Sequence, residues 1–218
     1  MRRAQALTCR VFSDIVPFLQ VGVSEHDIAT EIVYRHLKGG AERMAFDPIV
    51  GSGPNGALPH ARASSRRLQA GDMVVIDMGA HVEGYASDLT RTVAIGEPGV
   101  EARAAYAAVL QAQEAAIDAA QAGVVGSHLD AVARGVLTNA GLGEAFSHSL
   151  GHGVGLDVHE WPRLSSQVDH VIPAGATVTI EPGVYLADRF GIRIEDIIVL
   201  TESGHENLTP LAKDLLIL

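Results

Sequence analysis

The sequence predicts an α+β fold built from two related halves, with a mainly antiparallel, curved sheet and a cleft between the halves. In each half, segments with helical spacing precede segments with strand-like alternation, which favours segregated helices and strands over alternating βα units. Landmarks of the first half also recur in the same order in the second. Because 47% of the 218 residues are hydrophobic and 19% charged, the chain can bury a core. We therefore expect one domain over 1–218, with halves of about 4–100 and 101–208.

The first half is predicted to contain two helices followed by strands. Apolar residues within 7–18 have helical spacing, and Ser24 with Asp27 three residues later is typical of a helix N-cap. The apolar run 73–76 and the segment 90–95 have the composition of strands. Gly-rich turns separate these elements.

The second half repeats this arrangement. Helical spacing covers 106–117, and Ser127 with Asp130 predicts the N-cap of a second helix. Strand-like segments follow at 177–180 and 197–200. The repetition of several landmarks in order argues against chance similarity between glycine-rich segments.

Composition excludes several classes of function. The net charge of −10, with no run of Lys and Arg, disfavours nucleic-acid binding. No apolar stretch approaches a membrane span, and Arg10 and Asp14 interrupt the N-terminal segment where a signal peptide would need an apolar core. Cys9 is the only cysteine, which excludes an intrachain disulfide framework. We expect a cytoplasmic protein that binds neither nucleic acid nor membrane.

Four carboxylates and one histidine occupy corresponding places in the two halves. Asp77 and Glu181 each end an apolar strand-like run, Asp88 and Glu195 each precede the next strand, and His152 lies in a glycine-rich loop. Taken singly, each residue more often has an ordinary role in a turn or loop. Together they balance two divalent cations, which can hold a bridging hydroxide as nucleophile. Oxygen-rich ligation favours Mn²⁺, with Co²⁺ and Zn²⁺ as alternatives.

Longer motifs surround these residues. They occupy 46–53, 59–61, 76–79, 87–92, 148–160, 179–183 and 193–196. With them the chain resembles the pita-bread metallopeptidases, which include methionine aminopeptidase, aminopeptidase P and prolidase. The forms Asp88-Leu-Thr-Arg-Thr92 and Gly191-Ile-Arg-Ile-Glu195-Asp196 are similar to those of the Xaa-Pro branch. The resemblance implies the pita-bread fold, whose internal pseudo-two-fold matches the repeat.

The resemblance also implies a role for each candidate metal ligand. Asp77 would chelate one metal ion, Asp88 and Glu195 would bridge both ions, and His152 with Glu181 would complete the second. Glu181 would also carry a proton from the attacking water to the leaving nitrogen.

The resemblance places further residues around the ligands. His60, His148 and His159 would line the substrate side, where His60 and His159 could donate hydrogen bonds to the peptide carbonyl. Thr179 and Arg193 alternate with ligand carboxylates on their strands and are expected to support them. For each of the five, an ordinary structural role is the alternative.

The implied function is removal of the N-terminal residue of short peptides, ahead of proline. The alternatives are a methionine aminopeptidase and, in a different class, a non-catalytic peptide- or protein-binding relative. Members of the Xaa-Pro branch usually carry an additional N-terminal domain, which this sequence is expected to lack. We expect a short peptide as the partner, and a homodimer is compatible with the resemblance.

Overall fold

The computed structural model describes residues 1–218 as four helices and thirteen strands. The helices are α1 (Arg2–Ile15), α2 (Glu25–Lys38), α3 (Val100–Asp118) and α4 (Gly126–Asn139). The strands of the first half are β1 (Arg43–Met44), β2 (Ile49–Ser52), β3 (Met73–Met78), β4 (Ala80–Val82), β5 (Tyr85–Ala86) and β6 (Leu89–Ala94). Those of the second half are β7 (Gly151–Gly153), β8 (Glu160–Leu164), β9 (Thr177–Ile180), β10 (Gly183–Leu186), β11 (Phe190–Arg193), β12 (Asp196–Thr201) and β13 (Gly204–Asn207).

Two helices precede the strands in each half, as the sequence predicts. In the first half Ser24 caps α2, because its hydroxyl accepts a hydrogen bond from the Asp27 N–H (3.1 Å) and the Asp27 carboxylate accepts one from the Ser24 N–H (3.3 Å). Each helix buries an apolar face against the strands of its own half.

The predicted cap at Ser127 is wrong. The helix α4 begins at Gly126, so Ser127 lies within its first turn, and no side chain caps the helix. The N–H groups of Gly126 and Ser127 instead donate to the carbonyls of His170 and Val168. Gly126 also packs so closely against the carbonyl of Arg163 that a side chain there would collide with it. Loop backbone thus replaces the expected side-chain cap.

All ladders between the strands are antiparallel, which confirms the predicted sheet type. The second half contains a five-stranded sheet of order β13-β12-β9-β7-β8 and the hairpin β10-β11. The first half contains the three-stranded sheets β2-β3-β6 and β1-β4-β5. The two halves also pair their strands in the same way. In the first half β3, which carries Asp77, pairs with β6, which follows Asp88. In the second half β9, which precedes Glu181, pairs with β12, which follows Glu195.

Each half has its own hydrophobic core. One cluster of 15 buried residues joins α1 and α2 to β3 and β6, and another of 25 joins α3 and α4 to the second-half strands. One cleft is lined by candidate ligands from both halves, including Asp77 near the end of β3 and Glu181 directly after β9. None of the four helices is both long and apolar enough to span a bilayer.

Candidate metal centre

The five candidate ligands from both halves line one cleft of about 930 Å³. Ligand atoms of Asp88, His152 and Glu195 lie within 4.8 Å of one another. The His152 Nε2 atom lies 3.2 Å from Glu181 Oε1 and 3.7 Å from Asp88 Oδ2. Asp77 lines the same cleft from the end of β3. The fold thus brings together residues that are up to 118 positions apart in the sequence.

His152 is oriented by close packing of the strands around it. Its neighbours Gly151 and Gly153 approach the carbonyls of Thr179 and Trp161 so closely that a side chain at either position would collide. The His152 Nδ1–H donates to the Gly153 carbonyl (3.0 Å), which leaves Nε2 to face the carboxylates. Nε2 is therefore the atom that would bind a metal, after it releases the proton that it shares with Glu181 in the metal-free protein.

The buried carboxylates have few hydrogen-bond donors. Asp77 Oδ1 is buried without any partner. The Asp88 carboxylate receives no hydrogen bond, and that of Glu195 receives one, from the Thr90 hydroxyl (2.8 Å). Since a buried carboxylate is costly unless it is paired or bound to a metal, this set of donors fits divalent cations.

The electrostatics of the cleft reflect this crowding. Burial and the neighbouring Glu195 charge raise the pKa of Asp88 well above its usual value. Burial and the Glu181 charge do the same to the pKa of Glu195. Burial also opposes ionisation of Glu181, but the hydrogen bond and charge of His152 outweigh it and lower the pKa of Glu181 to about 2.

Thr179 and Arg193 both contact candidate ligands. The Thr179 hydroxyl donates to Glu181 (3.1 Å) and accepts from the His152 N–H (3.0 Å). The Arg193 guanidinium forms its ion pair with Asp77 (2.6 Å), across the two halves, rather than with Glu195 on its own side. It therefore restrains one oxygen of Asp77 and leaves the other free.

The three candidate substrate histidines line the cleft in different surroundings. His60 and His159 are exposed, and the His159 ring centroid lies 4.3 Å from that of His152. His148 is fixed, because its Nδ1–H donates to the Ser149 carbonyl (2.8 Å) and its Nε2 lies 3.0 Å from the Tyr185 hydroxyl. Burial lowers the pKa of His148, so it is neutral and Nε2 accepts from Tyr185.

Two residues that the sequence did not single out belong to the site. The Tyr185 hydroxyl accepts from Arg193 (2.7 Å) and so connects His148 to the Asp77 ion pair. Arg163 lines the cleft from β8, is exposed and forms no ion pair. The sequence offers only one signal for these two residues, which is strand alternation. Tyr185 lies two residues after Gly183, and Arg163 lies two residues after Trp161, so each shares a strand face with that residue.

Comparisons with known proteins find similar metallopeptidases. The model of metallopeptidase family M24 matches residues 1–202. A Xaa-Pro dipeptidase of Pyrococcus furiosus is 45% identical over 195 residues, which cover 89% of this chain and 56% of the relative. A Xaa-Pro dipeptidase of Lactobacillus delbrueckii is 44% identical over 92% of this chain and 55% of the relative. The chain thus spans a little over half the length of these relatives.

Solved structures show the same fold. The X-Pro aminopeptidase of Thermotoga maritima superimposes with a TM-score of 0.97 at 46% identity, covering 100% of this chain and 62% of that one. The prolidase of Pyrococcus furiosus gives a TM-score of 0.95 at 41% identity, covering 97% of this chain and 63% of that one. These similarities confirm the pita-bread fold.

Proposed function

The chain belongs to metallopeptidase family M24, and we propose that it removes the N-terminal residue of short peptides, ahead of proline. One observation carries the proposal of metal-dependent hydrolysis: buried carboxylates with few donors converge with His152 in one cleft. The relatives named Xaa-Pro dipeptidase, at 44–45% identity, support the substrate class over a methionine aminopeptidase.

We assign five residues to hold two divalent ions. They are Asp77, Asp88, His152, Glu181 and Glu195. When bound, such ions polarise the scissile carbonyl and make water a nucleophile at neutral pH. Four carboxylates match the charge of two divalent ions, and oxygen-rich ligation favours Mn²⁺ over Co²⁺ or Zn²⁺. Mn²⁺ as the resident ion, a homodimer and cytoplasmic placement stay predictions from the sequence.

Glu181 is assigned the proton transfer. Hydrolysis adds the oxygen of water to the carbonyl carbon and breaks the C–N bond, so one proton of water must reach the leaving nitrogen. The Glu181 side chain is 17% exposed to the cleft, so water and substrate can reach it. Because Thr179 binds Glu181 Oε1, the carboxylate keeps its orientation during the transfer.

The histidines are assigned to the peptide carbonyl. His60 and His159 are exposed in the cleft, and neither forms a hydrogen bond that would compete with substrate. As donors they would stabilise negative charge that develops on the carbonyl oxygen, an effect worth about 10²–10³-fold in rate per donor. His148 faces the cleft as a neutral ring with its Nε2 already bound to Tyr185, so we assign it to shaping the substrate site.

Arg163 suggests a preference for short peptides. An unpaired, exposed guanidinium in the cleft can bind the C-terminal carboxylate of a dipeptide. A longer peptide, or a dipeptide with an amidated C-terminus, would lose that contact. This contact would make the activity that of a dipeptidase rather than of an aminopeptidase.

The test is cleavage of a peptide panel by chelator-treated protein before and after addition of Mn²⁺, Co²⁺ or Zn²⁺. The panel contains Ala-Pro, Ala-Pro amide, Ala-Pro-Ala and Met-Ala-Ala. We expect metal to restore cleavage of Ala-Pro, with slower cleavage of Ala-Pro amide and Ala-Pro-Ala, which do not offer Arg163 the carboxylate of a dipeptide. Glu181→Ala should lose activity with at most partial loss of metal, because Glu181 is also assigned as a ligand. His159→Ala should lower cleavage with metal still bound. Cleavage of Met-Ala-Ala alone would reassign the chain to methionine aminopeptidases. Bound metal without any cleavage would favour the non-catalytic peptide-binding alternative.

A further inference from the structure

The backbone of Asp88 is held by a side chain rather than by a strand. The ladder between β3 and β6 begins at the pair Met78 and Leu89, so Asp88 lies just outside it. The Gln5 side chain of α1 takes the place of a strand neighbour. Its Nε2–H donates to the Asp88 carbonyl (2.8 Å), and its Oε1 accepts from the Asp88 N–H (3.2 Å). Gln5 is 0% exposed, so no water competes for these contacts.

The same amide connects Asp88 to the strand of Glu195. Gln5 Nε2 also donates to the Thr209 hydroxyl oxygen (2.9 Å), which in turn accepts from the Ile197 N–H (3.0 Å). Ile197 lies on β12, two residues after Glu195. Both N–H groups and the oxygen of the Gln5 amide are therefore occupied, which fixes its orientation.

Glu195 is held by a different contact. The buried Arg91 guanidinium donates to the Glu195 carbonyl (2.6 Å) and pairs with Asp196 (2.8 Å). The Glu195 N–H also donates to the Thr90 carbonyl of β6 (3.1 Å). Glu195 is thus joined directly to the first half, whereas the backbone of Asp88 depends on Gln5.

We propose that Gln5 is a positioning residue for the metal centre, an inference that rests on the proposed function. An aspartate side chain is short, so the position of its backbone largely decides where its carboxylate lies. By clamping the Asp88 backbone and joining it through Thr209 to β12, Gln5 keeps the Asp88 carboxylate within reach of Glu195 and His152. The alternative is that Gln5 only anchors α1 and contributes to stability.

The test compares Gln5→Leu with Gln113→Leu. Gln113 is also buried and lies on α3, the corresponding helix of the second half, where its Oε1 accepts from Lys213 (2.8 Å). Mn²⁺ affinity is measured by calorimetry on chelator-treated protein, and thermal unfolding is measured without metal. We expect Gln5→Leu to weaken Mn²⁺ binding by about 10-fold or more. Gln113→Leu removes a buried amide whose Nε2 has no partner, and it should bind Mn²⁺ as the wild type does.

The inference is overturned if Gln5→Leu binds Mn²⁺ like the wild type, or if both variants weaken binding equally. If Gln5→Leu does not fold, Thr209→Val and Thr209→Ser decide. The valine variant should bind Mn²⁺ more weakly and the serine variant should retain binding, while wild-type affinity in the valine variant would refute the inference. A wild-type protein that binds none of Mn²⁺, Co²⁺ and Zn²⁺ would remove the proposed function itself, which distinguishes the two failures.

Discussion

The first half of the chain buries carboxylates in two regions that differ in what surrounds the charge. Glu25, at the start of α2, and Asp88, before β6, are 0% and 5% exposed. The Glu25 oxygens accept hydrogen bonds from the N–H and hydroxyl groups of Ser52 and Ser64 and from the Asn55 amide. The Asp88 carboxylate receives none, and His152 Nε2 lies 3.7 Å away. The two carboxylates are similarly buried, but Glu25 is surrounded by hydrogen-bond donors and Asp88 has none.

The pKa values of Glu25 and Asp88 shift in opposite directions because only Glu25 has hydrogen-bond donors around it. Burial opposes ionisation of Glu25, yet the hydrogen bonds from Ser52 and Ser64 outweigh it and lower its pKa. Burial and the Glu195 charge raise the pKa of Asp88 instead. A fold that buries a carboxylate for structure also supplies donors, and the Glu25 contacts hold the loop between Ser52 and Ser64 that carries His60. A buried carboxylate without donors is costly unless a cation binds it, which supports the proposal of a metal centre in the Asp88 region.

The largest effect is expected from Asp88→Asn. This substitution removes a proposed metal ligand. Loss of a residue that only hydrogen-bonds a ligand typically lowers activity by about 10–100-fold, so peptide cleavage at saturating Mn²⁺ should fall by more than that. The metal-free variant should nevertheless be more stable than the wild type, by on the order of 1 kcal/mol or roughly 2–4 °C, because a crowded charge is gone. A peptide-cleavage assay with Mn²⁺ tests the predicted loss of activity, and a melting curve recorded without metal tests the predicted gain in stability. Lower stability of the metal-free variant would contradict the comparison.

An effect on stability opposite in sign to that of Asp88→Asn, without loss of a metal ligand, is expected from Glu25→Gln. The amide NH₂ would face the fixed N–H groups of Ser52 and Ser64, so the free energy of unfolding should drop by about 1.5–3 kcal/mol. The loss should be equal with and without Mn²⁺, since Glu25 does not contact a candidate ligand. Chemical denaturation under both conditions measures it, and an unchanged midpoint would show that the donors contribute nothing.

The stability difference between the wild type and Glu25→Gln should depend on pH. Because the pKa of Glu25 is lowered by folding, its stabilisation is present above the unfolded pKa of about 4.3 and is lost as pH falls through the lower folded pKa. The stability difference between wild type and Glu25→Gln should therefore be full near pH 7 and should narrow below about pH 4. A difference that stays constant down to pH 3 would contradict this origin.

Local sequence patterns located much of the site. Asp77 and Glu181 each end an apolar run in the sequence. Because such runs form strands in the folded chain, these candidate ligands could be expected at the ends of β3 and β9. The repeat also predicted two helices before the strands of each half. The failed cap at Ser127 has a physical reason, because loop carbonyls distant in sequence satisfy the helix N-terminus.

The contacts that orient the ligands could not be predicted in this way. Gln5 is 83 positions from Asp88, and Arg193 is 116 positions from Asp77. Neither pairing leaves a periodic signal in the sequence, because each depends on how α1, β3 and β11 meet in the folded chain. Glu25 likewise resembles an ordinary acidic residue in the first turn of a helix until its partners at Ser52 and Ser64 are known.

The most direct measurement of the central claim is a Mn²⁺ titration of the chelator-treated wild-type protein at neutral pH, followed by calorimetry and by melting temperature. We predict two ions bound per chain and a melting temperature that rises with Mn²⁺, corresponding to about 2.7 kcal/mol for each ion when free Mn²⁺ reaches 100 times the Kd of its site. Folded protein that binds none of Mn²⁺, Co²⁺ and Zn²⁺, and whose melting temperature does not change when these ions are added, would contradict the claim that these buried carboxylates form a metal centre.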